Sequence, residues 1–235
     1  MRDLGGTVWI EPQYRHIGQI RIGKDRSPFF GNALSVNSDA AAALAADKTY
    51  AAQALASEGL LVPRGIVVVS DRFRAALSVK SPQAASSLPQ TDAISALLDD
   101  VGLPVFIKPN RGSEGASVTR VDTLEELEAD LGDLLSHTTH ARIEEALTGD
   151  DLRILVLEGQ VRAAYQRQPF SITGDGAGTV RSLIKDYLSN RPRAPGLSTE
   201  DPRIHRAILK AGLAPDSVLN KGQVIRLLPI ANLST

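Results

Sequence analysis

The sequence contains no cysteine, few aromatic residues and no long apolar run. The absence of cysteine excludes disulfides, thiolate metal sites and a cysteine nucleophile. Aromatic residues make up 4% of the 235 residues, so leucine, valine, isoleucine and alanine must fill the core. No apolar stretch approaches the roughly 20 residues that cross a bilayer, and the first residues lack the apolar core of a signal peptide. These absences predict a cytoplasmic protein that does not enter a membrane.

An excess of charge of one sign is also lacking. The chain has 26 Lys and Arg against 27 Asp and Glu, which is a net charge of −1. Proteins that coat nucleic acid or an anionic membrane need a large positive surplus. We therefore expect small-molecule partners rather than nucleic acid or membrane.

The hydrophobic pattern predicts a fold of the α/β or α+β class, because strands alternate with helices first and form hairpins later. Residues 1–37 predict short extended pieces, and one helix is expected from Ser38 to about Glu58, ended by Gly59. A polar stretch over residues 80–90 predicts a surface loop. Further strands are expected at 65–70, 105–109, 117–121, 141–147, 152–159, 160–167 and 222–228, with helices at 71–79, 91–100, 122–136, 179–190 and 202–211.

The sharpest local feature is a strand that ends in a lysine and a glycine-bearing loop. The strand VFIKP, with Lys108, is followed by NRGSEGAS, residues 110–117. A lysine at a strand end is a fixed positive charge, and Gly112 and Gly115 let backbone N–H groups approach an anion closely. The pattern suits a polyphosphate, but it fits equally well an exposed lysine before a hairpin turn. Its spacing matches neither a Walker A loop nor a Rossmann fingerprint.

A second feature combines acids with arginines at the predicted hairpin. The segment IEEALTGDDLR, residues 143–153, holds four acids and leads Arg153 into one strand, while Arg167 lies on the other. We expect both arginines on one face of the sheet, where two guanidinium groups would suit a carboxylate or a phosphate. Considered alone, the segment is better explained by surface ion pairs with the nearby acids. Lys48, also considered alone, is a solubilising residue in an alanine-rich helix.

The order of these pieces resembles the ATP-grasp superfamily of carboxylate–amine ligases. The order is Asp47-Lys48 on a helix, Val62-Pro63 before a strand, residues 106–109 with the glycine loop, and residues 143–153. The second half resembles the ATP-grasp module of cyanophycin synthetase and of bifunctional glutathione synthetases. That likeness rests on the segments 149–156, 161–167, 174–184 and 231–235.

The resemblance implies a fold of two α+β lobes with ATP between them. Residues 1–37 would be an N-terminal extension or the remnant of a preceding domain. The first lobe would span residues 38–140 and the second residues 141–235. The family's metal ligands would follow Thr235, so the C-terminal part of the fold is expected to be incomplete in this chain.

The resemblance also implies a set of site residues. Lys48 and Lys108 would contact the ATP phosphates, Glu144 the adenine amino group, and Asp151 the ribose hydroxyls. Arg153 and Arg167 would act in catalysis by holding the transferred phosphate or the substrate carboxylate. The implied nucleotide-binding set is Lys48, Lys108, Gly112, Ser113, Glu114, Gly115, Ala116, Glu144, Glu145, Leu147 and Asp151, and the acceptor substrate would lie near Asn232 and Ser234. Mg²⁺ would accompany ATP, with ligands unknown.

The reaction that the resemblance implies is ATP-dependent formation of an amide bond. A carboxylate of an amino acid or small peptide would become an acylphosphate, which an amine then attacks. One alternative is a non-catalytic ATP- or ADP-binding module that regulates or completes a partner. A second is a structural α/β domain that binds no nucleotide. A homodimer is the assembly to test first, since dimers are the commonest soluble oligomers.

Overall fold

The chain forms two compact units, Met1–Glu58 and Gly59–Thr235. The division into residues 1–37, 38–140 and 141–235 stays a prediction. A computed structural model describes residues 5–31, 33–89, 92–112, 115, 117–190 and 200–228.

The first unit begins with an antiparallel sheet built from the extended pieces that the sequence predicts. Each strand pairs with the next along the chain, so the sheet is a simple meander. A tight turn at Gly23 (φ 60°) connects the second strand to the third. The strands are β1 (Gly6–Ile10), β2 (Ile17–Ile22), β3 (Asp25–Phe30) and β4 (Ala33–Leu34).

Two helices follow where the sequence predicts one. Helix α1 (Asp39–Ala46) and helix α2 (Lys48–Ser57) are separated by Asp47, which has an extended backbone. The Asp47 carboxylate accepts a hydrogen bond from the N–H of Tyr50 at 3.1 Å and so caps α2. The prediction of one continuous helix is wrong because an aspartate offers the backbone an alternative to helical hydrogen bonding. Lys48 is therefore the first residue of α2.

The second unit begins with a four-stranded antiparallel sheet and its helices. The sheet order is β5 (Gly65–Val69), β8 (His140–Glu145), β6 (Val105–Pro109) and β7 (Thr119–Val121), so the last of these strands along the chain lies between the first two. The predicted surface loop over residues 80–90 contains a short helix, Pro82–Ser86. The elements are β5 (Gly65–Val69), α3 (Asp71–Lys80), α4 (Pro82–Ser86), α5 (Asp92–Val101), β6 (Val105–Pro109), β7 (Thr119–Val121), α6 (Leu124–His137) and β8 (His140–Glu145).

One face of this sheet is apolar and the other carries charge. Successive side chains of a strand point to opposite faces. On β6 and β8, the apolar face is buried against α5 and α6, which supply leucines at helical spacing. This core contains Val105, Ile107, Ala141 and Ile143 from the strands and Leu97, Leu127, Leu131 and Leu134 from the helices. The intervening residues of β6 and β8 must therefore lie on the opposite face.

The rest of the second unit contains a hairpin and a second core. Strands β9 (Asp151–Leu157) and β10 (Gln160–Arg167) form the predicted hairpin. They are followed by β11 (Ser171–Thr173), α7 (Val180–Ser189), α8 (Pro202–Lys210) and β12 (Val224–Arg226), and β11 pairs with β12. The second core contains Phe170, Ile172, Val180, Ile184, Ile204, Ile208, Leu219, Ile225, Leu227 and Leu228.

The hairpin is the most exposed regular structure of the second unit. Leu152, Ile154 and Val156 on one face of β9 are each more than half exposed within the described part of the chain. No helix in that part combines the length and the apolar surface that crossing a bilayer requires.

Candidate nucleotide-binding site

The charged face of the sheet in the second unit brings together three ionised side chains. The register of β6 and β8 places Lys108 opposite Arg142 and Phe106 opposite Glu144. Because residues two apart on a strand share a face, Lys108, Arg142 and Glu144 lie on the same side, away from the core. We call these three residues the charged cluster.

The carboxylate of Glu144 is held by a cation at each oxygen. Lys108 Nζ forms an ion pair with Oε1, and Arg142 Nε donates to Oε2 at 2.8 Å. The guanidinium of Arg142 also donates through Nη2 to the carbonyl oxygen of Pro63 at 3.1 Å. The side chains of Lys108, Glu144 and Arg142 are only 19%, 11% and 4% exposed. Two cations and one anion leave the charged cluster with net positive charge, the sign that suits a phosphate.

The loop after Lys108 begins in an ordered way. The N–H of Asn110 donates to the carbonyl oxygen of His140 at 3.0 Å and closes this end of the sheet. Gly112 (φ 134°) and Gly115 (φ 69°) adopt backbone conformations that favour glycine. Ser113, Glu114 and Ala116 lie outside the described residues. The role of this loop in holding phosphates stays a prediction.

Glu145, at the end of β8, is engaged by Arg64. Its Oε1 accepts from the Arg64 N–H at 2.8 Å, and its Oε2 accepts from Nε at 2.9 Å and Nη2 at 2.7 Å. The N–H of Glu145 in turn donates to the Arg64 carbonyl oxygen at 2.9 Å. The side-chain hydrogen bond from Arg64 is the main reason that the pKa of Glu145 lies below its ordinary value. The Glu145 side chain therefore anchors the chain before β5, and the exposed Leu147 follows it.

The hairpin places the two predicted catalytic arginines on one face, as expected. Arg153 is opposite Tyr165 and Arg167 is opposite Asp151, so these positions share a side of the sheet. Arg167 Nη2 lies 3.2 Å from Asp151 Oδ2. The residue expected to bind ribose thus pairs with a residue expected to hold phosphate or carboxylate.

The remaining predicted site residues are spread over the rest of the chain. Lys48 begins α2 in the first unit, and its expected contact with ATP phosphates stays a prediction. Asn232 and Ser234 lie outside the described residues. Among the described residues, the fold therefore brings together Lys108 with Glu144 and Asp151 with Arg167.

A magnesium site is not evident in the described part of the chain. No three His, Asp or Glu side chains gather there in a way that could hold a metal ion. Mg²⁺ prefers several oxygen ligands, usually carboxylates, water and substrate phosphates. The described residues therefore do not fit a magnesium site of their own.

The sequence interpretation did not include Arg142. A usable signal was present, because an arginine two residues before Glu144 in a predicted strand must share its face. Arg64 was missed as well, and no local pattern links it to Glu145, which is 81 residues away.

Comparison with known proteins supports the motif-based resemblance. A family model for the D-Ala D-Ala ligase C-terminus matches residues 78–173. Cyanophycin synthetase from Geminocystis herdmanii is 30% identical over 203 residues, which cover 82% of this chain and 21% of that protein. The cyanophycin synthetase of Crocosphaera subtropica is 28% identical, covering 97% of this chain and 25% of the relative. The chain thus spans about a fifth to a quarter of these proteins.

A solved structure supports the fold. The bifunctional glutathione synthetase from Pasteurella multocida is 19% identical, with a TM-score of 0.50, over 98% of this chain and 30% of that one. The fold is therefore the α+β ATP-grasp fold that the motifs predict. The matches to cyanophycin synthetases and to the ligase family model also confirm the resemblance of this chain to the ATP-grasp ligases.

Proposed function

We propose that this chain binds ATP and supports ATP-dependent formation of an amide bond on an amino-acid or small-peptide carboxylate. The observation that carries the proposal is the charged cluster, which presents Lys108 at a strand end just before a glycine-bearing loop. The similarity of the chain to ATP-grasp ligases supports this reaction class. The small-molecule partners and the cytoplasmic location expected from the sequence are parts of the same proposal.

The proposed reaction has two steps. A carboxylate oxygen of the substrate attacks the γ-phosphorus of ATP, the bond to the bridging oxygen breaks, and ADP leaves. The amine of the second substrate then attacks the acyl carbon, phosphate leaves, and the amide nitrogen loses a proton. Neither step needs a covalent bond to the protein. Catalysis therefore rests on positioning and on stabilising negative charge.

The residues have distinct roles in this proposal. Lys108 holds ATP phosphate oxygens, whereas the phosphate contact expected of Lys48 rests on the family resemblance alone. Arg153 and Arg167 face the transferred phosphate or the substrate carboxylate, which planar guanidinium groups bind well. These arginines share one face of the hairpin, which supports a common target.

The nucleoside part of ATP would lie along the end of β8. Glu144 accepts a hydrogen bond from the adenine amino group, and the backbone from Glu145 to Leu147 meets the edge of the base. Asp151 breaks its ion pair with Arg167 and binds the ribose hydroxyls. The nearly buried position of Glu144 supports this role, because a water-excluded acceptor discriminates best between ligands.

Calorimetric titration of ATP into the full chain tests the proposal. Replacing Lys108 with Met should weaken binding about tenfold or more, because one charge-assisted contact to phosphate is lost. Lys80→Met is the matched control, since Lys80 is exposed at the end of α3 and should leave binding unchanged. Equal affinities of the Lys108 variant and wild type would contradict the assigned site.

An assay of ADP release tests the reaction. Wild-type protein should release ADP only when a carboxylate and an amine are both supplied from a panel of amino acids and dipeptides. ATP binding without turnover across the panel would favour the alternative of a non-catalytic nucleotide-binding module. Absence of ATP binding would contradict both and leave a structural domain.

A further inference from the structure

We propose that Arg142 is a positioning residue that lets Glu144 exchange Lys108 for the amino group of a purine base. The proposal rests on the proposed function, because it concerns the same nucleotide site. It extends that function by naming the residue that makes the site selective for a base with an amino group at C6.

Arg142 is held firmly at the centre of the sheet. Its strand, β8, lies between β5 and β6, and Arg142 is opposite Val67 on one side and Lys108 on the other. Its Nε donates to Glu144 and its Nη2 donates to the Pro63 carbonyl oxygen. A guanidinium with two such anchors, almost fully buried, keeps one orientation.

Arg142 keeps the charge of Glu144 compensated when Lys108 leaves. ATP phosphates and Glu144 compete for the same ammonium group of Lys108. If Glu144 had no other cation, the departure of Lys108 would leave a nearly buried carboxylate uncompensated, which is strongly unfavourable. Arg142 remains on Oε2 after Lys108 has left Oε1, so the negative charge stays paired. Lys108 can then move to the phosphates at a lower cost.

Arg142 also determines which ligand group replaces Lys108. With Oε2 bound to Nε of Arg142, the carboxylate plane is fixed and Oε1 becomes the oxygen that can change partner. An anionic oxygen accepts a hydrogen bond from an amino group, whereas a carbonyl at the same place on the base offers no proton. Such an unpaired polar contact in a water-excluded site discriminates strongly between ligands. The preferred ligand is therefore a purine nucleoside triphosphate with a C6 amino group.

The test measures three probes on the full chain by calorimetry: ATP, inosine triphosphate and inorganic tripolyphosphate. Inosine triphosphate carries a carbonyl in place of the C6 amino group, and tripolyphosphate lacks the base. Arg142→Met should lower the affinity for ATP about tenfold and reduce the preference for ATP over inosine triphosphate by a similar factor. Arg142→Lys should restore part of the affinity for ATP and part of the preference for ATP over inosine triphosphate. Arg72→Met, on the exposed start of α3, should change neither the affinity nor the preference.

The double variant separates positioning from simple structural support. Arg142→Met alone should weaken tripolyphosphate binding, because Glu144 then retains Lys108. Adding Glu144→Gln should return tripolyphosphate affinity at least to the wild-type level, because the neutral amide no longer holds the ammonium group. A purely structural role would instead weaken all three probes equally, and the second substitution would not rescue any of them.

The remaining outcomes are also decisive. A folded Arg142→Met protein that keeps its preference for ATP overturns the inference but leaves the proposed function standing. Wild-type protein that binds neither ATP nor tripolyphosphate overturns the proposed function. If Arg142→Met does not fold, Glu144→Gln alone decides, since it should bind tripolyphosphate more tightly than wild type and lose the preference for ATP. An unchanged tripolyphosphate affinity in that variant would show that Glu144 does not restrain Lys108.

Discussion

Arg206 of α8 and Asp130 of α6 form a two-point ion pair that joins the two hydrophobic cores of the second unit. Arg206 Nη1 lies 2.5 Å from Oδ2 of Asp130, and Nη2 donates to Oδ1 at 3.0 Å. One helical turn further, Lys210 contacts both Asp122 and Glu126. The basic side of α8 is thereby matched to the acidic side of α6. Since each helix belongs to a different core, these ion pairs link the two cores.

Reversing one charge at this contact should destabilise the second unit. We expect Arg206→Asp to lower the free energy of unfolding by about 1 kcal/mol, because an ion pair becomes a repulsion. The swap Arg206→Asp with Asp130→Arg should recover most of that loss, and high salt should reduce the difference. Urea denaturation of wild type, the two single variants and the double variant measures these free energies of unfolding. A double variant less stable than both single variants would contradict the prediction.

Glu145 should make the stability depend on pH in the acidic range. Its pKa is lowered in the folded chain, chiefly by the side-chain hydrogen bond from Arg64. The stabilisation is therefore complete above the ordinary value of 4.5 and is lost as the pH falls through the lowered pKa. Glu145→Gln should be less stable than wild type at pH 7, and the gap should close in strong acid. Unfolding curves from pH 7 to pH 2 measure this gap.

The matched control for Glu145 is Glu158→Gln in the hairpin turn. Glu158 is highly exposed, and its Oε2 lies 3.9 Å from Nη2 of Arg162. A variant there should follow the wild-type curve at every pH. A gap between wild type and Glu145→Gln that persists unchanged in acid would refute the role assigned to the Arg64 contact.

Gly65 allows β5 to approach β8 beside the charged cluster. An added Cβ would lie 2.4 Å from the carbonyl oxygen of Ile143 and 2.8 Å from Cβ of Glu144. Gly65→Ala should therefore push the strands apart, cost about 1–3 kcal/mol of stability and weaken ATP binding by displacing Glu144. Thermal unfolding and ATP titration of the variant measure the two effects.

Gly132 in α6 provides the matched control for this substitution. Outside the local backbone of α6, no described atom lies within 4 Å of an added Cβ there. Gly132→Ala should stabilise the protein by about 0.5–1 kcal/mol, because alanine favours a helix interior, and it should leave ATP binding unchanged. Equal effects of the two substitutions would show that the close approach at Gly65 is unimportant.

Phe170 should be indispensable to the second core. It is fully buried and packs against Tyr187 with ring centroids 4.5 Å apart. In a chain with few aromatic residues, few side chains could refill that volume, so Phe170→Ala should cost about 3–5 kcal/mol. Val224→Ala, at a well-exposed valine of β12, should cost less than about 0.5 kcal/mol. Chemical denaturation of both variants provides the comparison.

Local signals account for the parts of the fold that could be predicted. Apolar runs bounded by turn residues predict β5, β6, β8 and the hairpin, because these patterns need no information from distant residues. The break at Asp47 was missed because a capping aspartate and a continuing helix compete within one residue. Strand β11 was missed because it has three residues and pairs with β12, which lies about fifty residues further along the chain.

By itself, the sequence determined most of the strands and helices, the ATP-grasp resemblance, and the choice of Lys108 and Glu144 as candidate site residues. Only the tertiary structure decided that these two side chains pair, and that Arg142 holds the other carboxylate oxygen. Lys108 and Glu144 are 36 residues apart, and their contact depends on the register of β6 against β8. That register is set by burial of the apolar face against α5 and α6, since a shift by one residue would place the charges in the core.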